Sequence, residues 1–375
     1  MGAAAFPLFL VPVIGLRLEE KFDWSRVDTS SLTSIAFIGG ALGVPVIGWL
    51  NDRWSVKLPV VLSMAAVGLM LLLASIAPPD ILVWQAGIFL LMFLGAGTLS
   101  ASFSKIICSH FDAMRGLALG ITIGSVSMVT ALALPWFNSL IDHVGTSRFF
   151  LGAGLVYFAV MVPLMVWLLP ASRLDGQRAA TAGAQPDAEV SQPYALWLLG
   201  LAGILLASTA GSAAHLAGVA ADGGSVAPAT VGSVFALGVL VSRPAAGFVI
   251  DHVNARLIGA LMAAMAAAGL LLVGLFGDRY VILGALLLAA CVGAEFDIVA
   301  FLASKYVSPS RFGRIFGWMY SGMLVAAAAA PVLIAVQLGA FGSYRIPLLL
   351  AALVALMAAG IMLVLPPYVR NWREE

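Results

Sequence analysis

Apolar residues run along this chain in long blocks, separated by short polar punctuation. The blocks fall at about 2–16, 31–50, 58–77, 81–103, 115–137 and 148–169, then at about 195–220, 228–250, 256–276, 280–304, 313–338 and 344–366. Most are close to the ~20 residues that an α-helix needs to cross a hydrocarbon core of about 30 Å. They are apolar all round and show neither the alternation of a half-buried strand nor the single stripe of a surface helix. The pattern predicts an all-α membrane protein of twelve spanning helices. Residues 1–170 and 194–375 would each form a six-helix bundle. Between them lies the longest polar stretch, 171–193, rich in Ala, Gly, Gln and Pro and without apolar periodicity, which reads as a linker. The first block, from Gly2 to Leu16, is short for a span. Met1 is therefore expected to fall inside the first helix, the alternative being a short tilted one. A signal peptide fits less well, because a basic leading region is missing and membrane helices follow.

Composition strengthens this picture. Hydrophobic residues make up 62% of the chain and charged residues 10%, against about 25% charged in a soluble domain. Such a chain cannot cover a globular surface, so lipid is its solvent. The net charge of +1 comes with no basic patch, which argues against a nucleic-acid partner. Cys108 and Cys291 stand far apart with no metal or disulfide spacing and read as small apolar fillers. No cofactor motif is present. The absence of G-x-x-x-x-G-K-[ST], H-E-x-x-H and G-x-S-x-G weakens an ATP-driven pump and an intramembrane hydrolase. Lys and Arg in the loops favour one orientation, with twelve on the side of the termini and six opposite. Both termini are expected in the cytoplasm, in a bacterial inner membrane, with the chain a monomer.

The two halves repeat. Pro45, Gly48 and Asp52 form P-x-x-G-x-x-x-D at the end of the second span, and Pro244, Gly247 and Asp251 repeat it 199 residues later at the end of the eighth. Arg115 and Arg314 share that offset at the starts of the fifth and eleventh spans. Two similar bundles are what a transporter needs to rock about a central site.

Here the sequence resembles a known family. Gly48-Trp-Leu-Asn-Asp52-Arg53-Trp-Ser-Val-Lys57 resembles the major facilitator signature G-x-x-x-D-R-x-G-R-K, with Ser55 and Val56 departing from it. The echo from Gly247 to Arg256 keeps Asp251 but carries His252 where arginine is common. The resemblance implies that Gly48, Asp52, Arg53, Gly247, Asp251 and Arg115 belong to a gating latch. Arg115-Gly-Leu-Ala-Leu-Gly120, Phe22-Asp-Trp24-Ser25-Arg26 and Ser242-Arg243-Pro244-x-x-Gly247 are similar to segments of the monocarboxylate porter and oxalate–formate antiporter group. That similarity implies that Arg243 binds a substrate carboxylate.

The residues themselves support a site. An arginine inside an apolar helix is costly and faces a cavity or a partner, and its planar fork suits a carboxylate. The structural alternative is an arginine snorkelling to the interface, with Asp251 two turns away. Glu295 and Asp297 are equally costly deep in the tenth span. At 100° per residue they point some 200° apart, which predicts that they do not line one wall. Either is a candidate proton carrier or a partner for Arg243. His215 reads as a hydrogen-bonded interfacial histidine, and Lys105 and Lys305 as topology signals. Trp84, Tyr194 and Trp372 read as an interfacial belt. Gly116, Gly120 and Gly124 allow close helix packing. The expected function is alternating-access transport of a small organic anion, a monocarboxylate in the first instance, coupled to protons. Efflux of apolar compounds and a transport-inactive sensor on the same fold are the alternatives.

Overall fold

The computed structural model describes residues 17–19, 21–111, 114–169 and 193–368, and among them every regular element is helical. The first expected span and residues 171–192 of the linker lie outside the described residues. The N-terminal helices are α1 (Arg26–Arg53), α2 (Lys57–Ala74), α3 (Ile81–Leu94), α4 (Ser100–His110), α5 (Arg115–Val144), α6 (Thr146–Val156) and α7 (Val162–Leu168). The C-terminal ones are α8 (Pro193–Thr209), α9 (Ser212–Gly223), α10 (Pro228–His252), α11 (Ala255–Phe276), α12 (Val281–Val292), α13 (Glu295–Tyr306), α14 (Pro309–Phe341) and α15 (Arg345–Val364). Nine runs of described residues are long and apolar enough to cross a membrane. One of them, Ala255–Tyr306, turns at Gly277–Tyr280 and holds two antiparallel spans, and the 30-residue α5 is a further helix of spanning length.

The helix ends follow local chemistry. Ser25 and Asp28 form a capping box at the start of α1, Asp80 caps α3, and Asn254 caps α11. Pro228 and Pro309 open α10 and α14, where a missing N–H costs nothing. Gly342 ends α14 in the left-handed region, at φ 63°.

Four expected spans are not continuous helices. A 3-10 turn at Gly95–Thr98 separates α3 from α4, and a π segment at Tyr157–Met161 separates α6 from α7. Ala210 and Gly211 interrupt α8–α9, and Gly293 and Ala294 interrupt α12–α13. In a membrane such breaks persist only where side chains or protein packing satisfy the freed backbone. At the first break the Gly97 N–H donates to Ser63 Oγ at 3.2 Å.

By internal contacts the chain divides into two compact units. The first comprises Met1–Ser109, Ser125–Asp187 and Pro309–Ser321, and the second His110–Gly124, Ala188–Ser308 and Gly322–Glu375. Each unit therefore takes in a short segment from the other sequence half: the start of α14 joins the first, and the start of α5 joins the second. In the first unit α2 packs on α6 through small residues, with Gly154 against Leu72 and Gly68 against Tyr157. An aromatic cluster of Phe22, Trp24, Trp84 and Phe150, with centroids 5.0–6.0 Å apart, closes one end. In the second unit, α11 buries Ala263, Ala266 and Ala267 while α15 buries Ala352, Ala355 and Ala358. Large side chains such as Trp167 (80% exposed) and Trp197 (82%) point outward, as they do when lipid replaces water.

The α11–α12 hairpin is drawn closest at Gly269 and Gly284. A methyl group on Gly284 would fall 2.3 Å from Val273 Cγ2. Gly284→Leu is expected to cost about 1–3 kcal/mol, as overpacked cores do, and to lower the thermal transition in detergent. Gly232→Leu is the control, because a Cβ there meets nothing within 4 Å. Equal transitions for the two variants would contradict this packing.

Candidate functional site

The repeated P-x-x-G-x-x-x-D motif builds the same joint in each unit. In the first, the Gly313 and Arg314 N–H groups donate to the Asp52 carboxylate at 2.9 and 2.6 Å, near the start of α14. Gly48 lies so close that a methyl on it would fall 2.2 Å from the Gly313 carbonyl oxygen. One turn on, Gly317 rests against Pro45. In the second, the Gly116 and Leu117 N–H groups donate to Asp251 at 2.6 and 2.9 Å in the first turn of α5. Gly247 meets Gly116, and Gly120 meets the backbone of Arg243 and Pro244. A carboxylate at a helix N-terminus satisfies otherwise orphaned donors and the positive end of the helix dipole. Glycine is needed beside it because the backbones touch.

Of the six residues assigned to the latch, Gly48, Asp52, Gly247 and Asp251 form these joints. Arg53 instead stacks over the Trp49 ring at 5.2 Å. Arg115 donates to the Phe111 carbonyl at 2.8 Å and to Ser304 Oγ at 3.0 Å. Sequence reasoning missed Lys105. Its side chain is 2% exposed, and its ammonium donates to Asp52 at 2.7 Å and to the Asn51 carbonyl at 3.0 Å. A lysine among the serines of Ser100–Ser109, where the structure has α4 and not a loop, was the available signal. Lys305 sits over the Phe301 ring at 5.4 Å, so it too does more than mark topology. His215 Nε2 is hydrogen-bonded to the Pro331 carbonyl at 3.0 Å, in keeping with its bland reading.

The second unit also gathers the costly charges. Arg243 NH1 lies 3.5 Å from Asp297 Oδ2, with side chains 13% and 0% exposed. Glu295 is 2% exposed and within electrostatic reach of both. The break in the tenth span precedes both carboxylates, so they keep their two-residue spacing on one helix. Glu295 and Asp297 stand in the first turn of α13, not in mid-helix. Two turn-like bonds tighten the break, Gly293 N–H to the Ala289 carbonyl and Ala294 N–H to the Cys291 carbonyl, both 2.9 Å. Ser242 fills the resulting notch: its hydroxyl approaches the Val239 and Ala289 carbonyls at 3.1 and 3.2 Å. A methyl on Gly293 would fall 1.7 Å from Ser242 Oγ. Ser242 in the notch brings its neighbour Arg243 to the start of α13. Asp251, the alternative partner, is engaged by α5 and not by Arg243.

This cluster is under-satisfied. Arg243 Nε and NH1, Glu295 Oε2 and both Asp297 oxygens are buried without hydrogen-bond partners among the described residues. One guanidinium pairs with a buried carboxylate and lies within electrostatic reach of a second, an arrangement that marks ion or substrate pathways in membranes. Gly124 of α5 leaves room beside the Arg243 stem, its Cβ position being 3.5 Å from Arg243 Cβ. At the 199-residue offset, Arg243, Glu295 and Asp297 correspond to Val44, Ala96 and Thr98, so the other half carries no charge at these three positions. Among the described residues no group of three or more His, Cys, Asp or Glu is placed to hold a metal ion.

Residues 2–221 match the sequence profile of the Major Facilitator Superfamily. The chain belongs to this superfamily. Solved major facilitators share its fold. The Escherichia coli fucose:proton symporter is 16% identical, with 97% of each chain covered and a TM-score of 0.72. The human organic anion transporter MFSD10 is 15% identical, with 96% of each chain covered and a TM-score of 0.74. The proton:xylose symporter XylE is 13% identical over 98% of this chain and 92% of its own, with a TM-score of 0.73. As a major facilitator, the protein is an integral membrane transporter and not an enzyme. The paired glycine joints are the part of its sequence that major facilitator membership makes intelligible.

Asp251→Asn keeps the shape of its joint but removes the charge. Hydrogen bonds to a charged group contribute about 1.5–3 kcal/mol, so exchange at the Gly116 and Leu117 amides is expected to speed up roughly tenfold or more. Unchanged hydrogen exchange there would mean that the carboxylate charge does not hold this helix end.

Proposed function

We propose that the protein moves a small organic anion, most simply a monocarboxylate, together with a proton by alternating access. The observation that carries this reading is the Arg243 guanidinium paired with buried Asp297, within electrostatic reach of Glu295 and with hydrogen-bonding capacity unused. A cargo carboxylate matches the guanidinium fork in shape and charge. The resemblance of Ser242-Arg243-Pro244-x-x-Gly247 and Arg115-Gly-Leu-Ala-Leu-Gly120 to the monocarboxylate porter and oxalate–formate antiporter group supports the same cargo class. Similar folds serve a fucose:proton symporter and an organic anion transporter, so cargo and coupling of this kind suit the architecture.

The mechanism follows from charge. Without cargo, Asp297 holds the guanidinium. A proton on Asp297 releases Arg243, and the cargo carboxylate takes the vacated contact. The cluster then gains one negative and one positive charge, so its net charge is the same empty and loaded. An uncompensated charge at the membrane centre costs about 2.5–3.5 kcal/mol on insertion scales, so anion and proton cross together more easily than either alone. Glu295 supplies the second carboxylate and titrates with the pair. The Asp52 and Asp251 joints are the latches whose opening and closing accompany the cycle, and both termini lie in the cytoplasm in this reading.

The test is uptake of radiolabelled small carboxylates into proteoliposomes with an imposed proton gradient. Arg243→Ala is expected to reduce anion uptake roughly 10- to 100-fold, from the loss of charge-assisted bonds of about 1.5–3 kcal/mol. Arg243→Lys, which keeps charge but not the fork, is expected to fall between. Asp297→Asn is expected to keep anion counterflow but lose stimulation by the gradient. Wild-type uptake in Arg243→Ala would sink the anion reading and favour export of apolar compounds. Full gradient stimulation in both Asp297→Asn and Glu295→Gln would remove this cluster from coupling.

A further inference from the structure

A cavity lies wholly within the first unit. It is a groove of about 530 Å³ between α5 on one side and α6 with the following π segment on the other. Val129, Trp136 and Leu140 line the α5 wall, and Gly152 and Met161 the other. Its one charged lining residue, Arg148, stands at one end, near the turn that joins the two helices. From Val144 beside that turn to Val129 the groove runs roughly 22 Å, at about 1.5 Å per residue. One leaflet of a bilayer core is roughly 15 Å deep. The groove is thus long enough for a single tail entering from the Arg148 end, and apolar for that whole length. π segments frequently mark functional positions in helices, and this one flanks the deep end.

Charge specifies the head of the occupant. Arg148 is exposed and makes no ion pair among the described residues. The nearby acid Asp142 is taken by Arg17 at 2.7 Å, so it does not neutralise Arg148. A free guanidinium at the rim of an apolar slot selects an amphiphile with an anionic head, and its fork suits a phosphate. Both walls are membrane helices, so the occupant arrives through the bilayer and not from water. We propose that this groove is a binding site for an anionic phospholipid, one acyl chain lying between α5 and α6 and the phosphate on Arg148. The lipid fills the groove beside the Phe137–Phe149 ring contact that joins the two helices and fastens α5 against α6.

The experiment uses the full chain, incubated in mild detergent with lipid from vesicles of phosphatidylcholine and phosphatidylglycerol, then analysed by native mass spectrometry and thermal unfolding. The native protein is expected to retain one phosphatidylglycerol, preferred over phosphatidylcholine roughly fivefold, the scale of one arginine near a membrane surface. Arg148→Gln is expected to bind both lipids equally. Gly152→Phe fills the groove from a position where a Cβ meets nothing within 4 Å, so the fold tolerates it while both lipids are lost. Retention of phosphatidylglycerol by a folded Gly152→Phe variant would overturn the proposal, as would equal binding of the two lipids by the native chain. Displacement by equimolar free fatty acid would assign the site to a different amphiphile and also overturn it. So would disulfide capture of Gly152→Cys by Leu10→Cys, because the chain's own first segment would then be the occupant.

Discussion

A guanidinium buried among apolar helices is the constraint around which the second unit is organised. Arg243 cannot rest in hydrocarbon without an opposite charge. The answer comes from α13, which exists as a separate helix only because Gly293 and Ala294 interrupt the span. That interruption depends on a glycine whose missing side chain leaves room for Ser242, the neighbour of Arg243. Charge, helix break and packing notch are therefore one device. Removing any of them alters the other two.

The two sequence halves share the packing device and differ in the chemical one. Proline, glycine and aspartate at matched positions dock α1 on the start of α14 and α10 on the start of α5, each through touching glycines and a carboxylate over backbone N–H groups. Both fourth-position spans are broken, at Gly95–Thr98 and at Gly293–Ala294. Yet the first half places Val44, Ala96 and Thr98 where the second places Arg243, Glu295 and Asp297. A repeat of geometry supports a symmetric motion, while the Arg243–Asp297 pair has no counterpart at the matched positions. The buried Lys105 beneath Asp52 is the first half's own elaboration, a strengthening of the joint.

The spans were legible because apolar length is a strong signal in a chain whose solvent is lipid. Their ends were legible wherever a proline, an Asx cap or a glycine stood at the boundary, as at Pro228, Asn254 and Gly342. The breaks were not. Gly95, Gly211 and Gly293 look like any other glycine in an alanine- and glycine-rich span, and each break is decided by a neighbour distant in sequence, such as Ser63 or Ser242. That failure propagated to the site: treating the tenth span as continuous set Glu295 and Asp297 in mid-helix, where the structure has them in the first turn of α13. Arg243 was legible as costly and Asp297 as one of its candidate partners; that Asp251, nearer in sequence, is committed to α5 was not. Lys105 was hidden by its place at the end of a span, where a topological reading sufficed.

The central claim is that Arg243 exchanges an internal carboxylate for that of the cargo, with a proton replacing the lost attraction. Proton uptake by the purified protein, followed with a pH indicator in weakly buffered detergent as formate, acetate or lactate is added, tests it most directly. The account predicts a proton taken up with each anion bound, and anion binding without proton uptake in the Asp297→Asn variant. Anion binding to the native protein with no accompanying proton would contradict it.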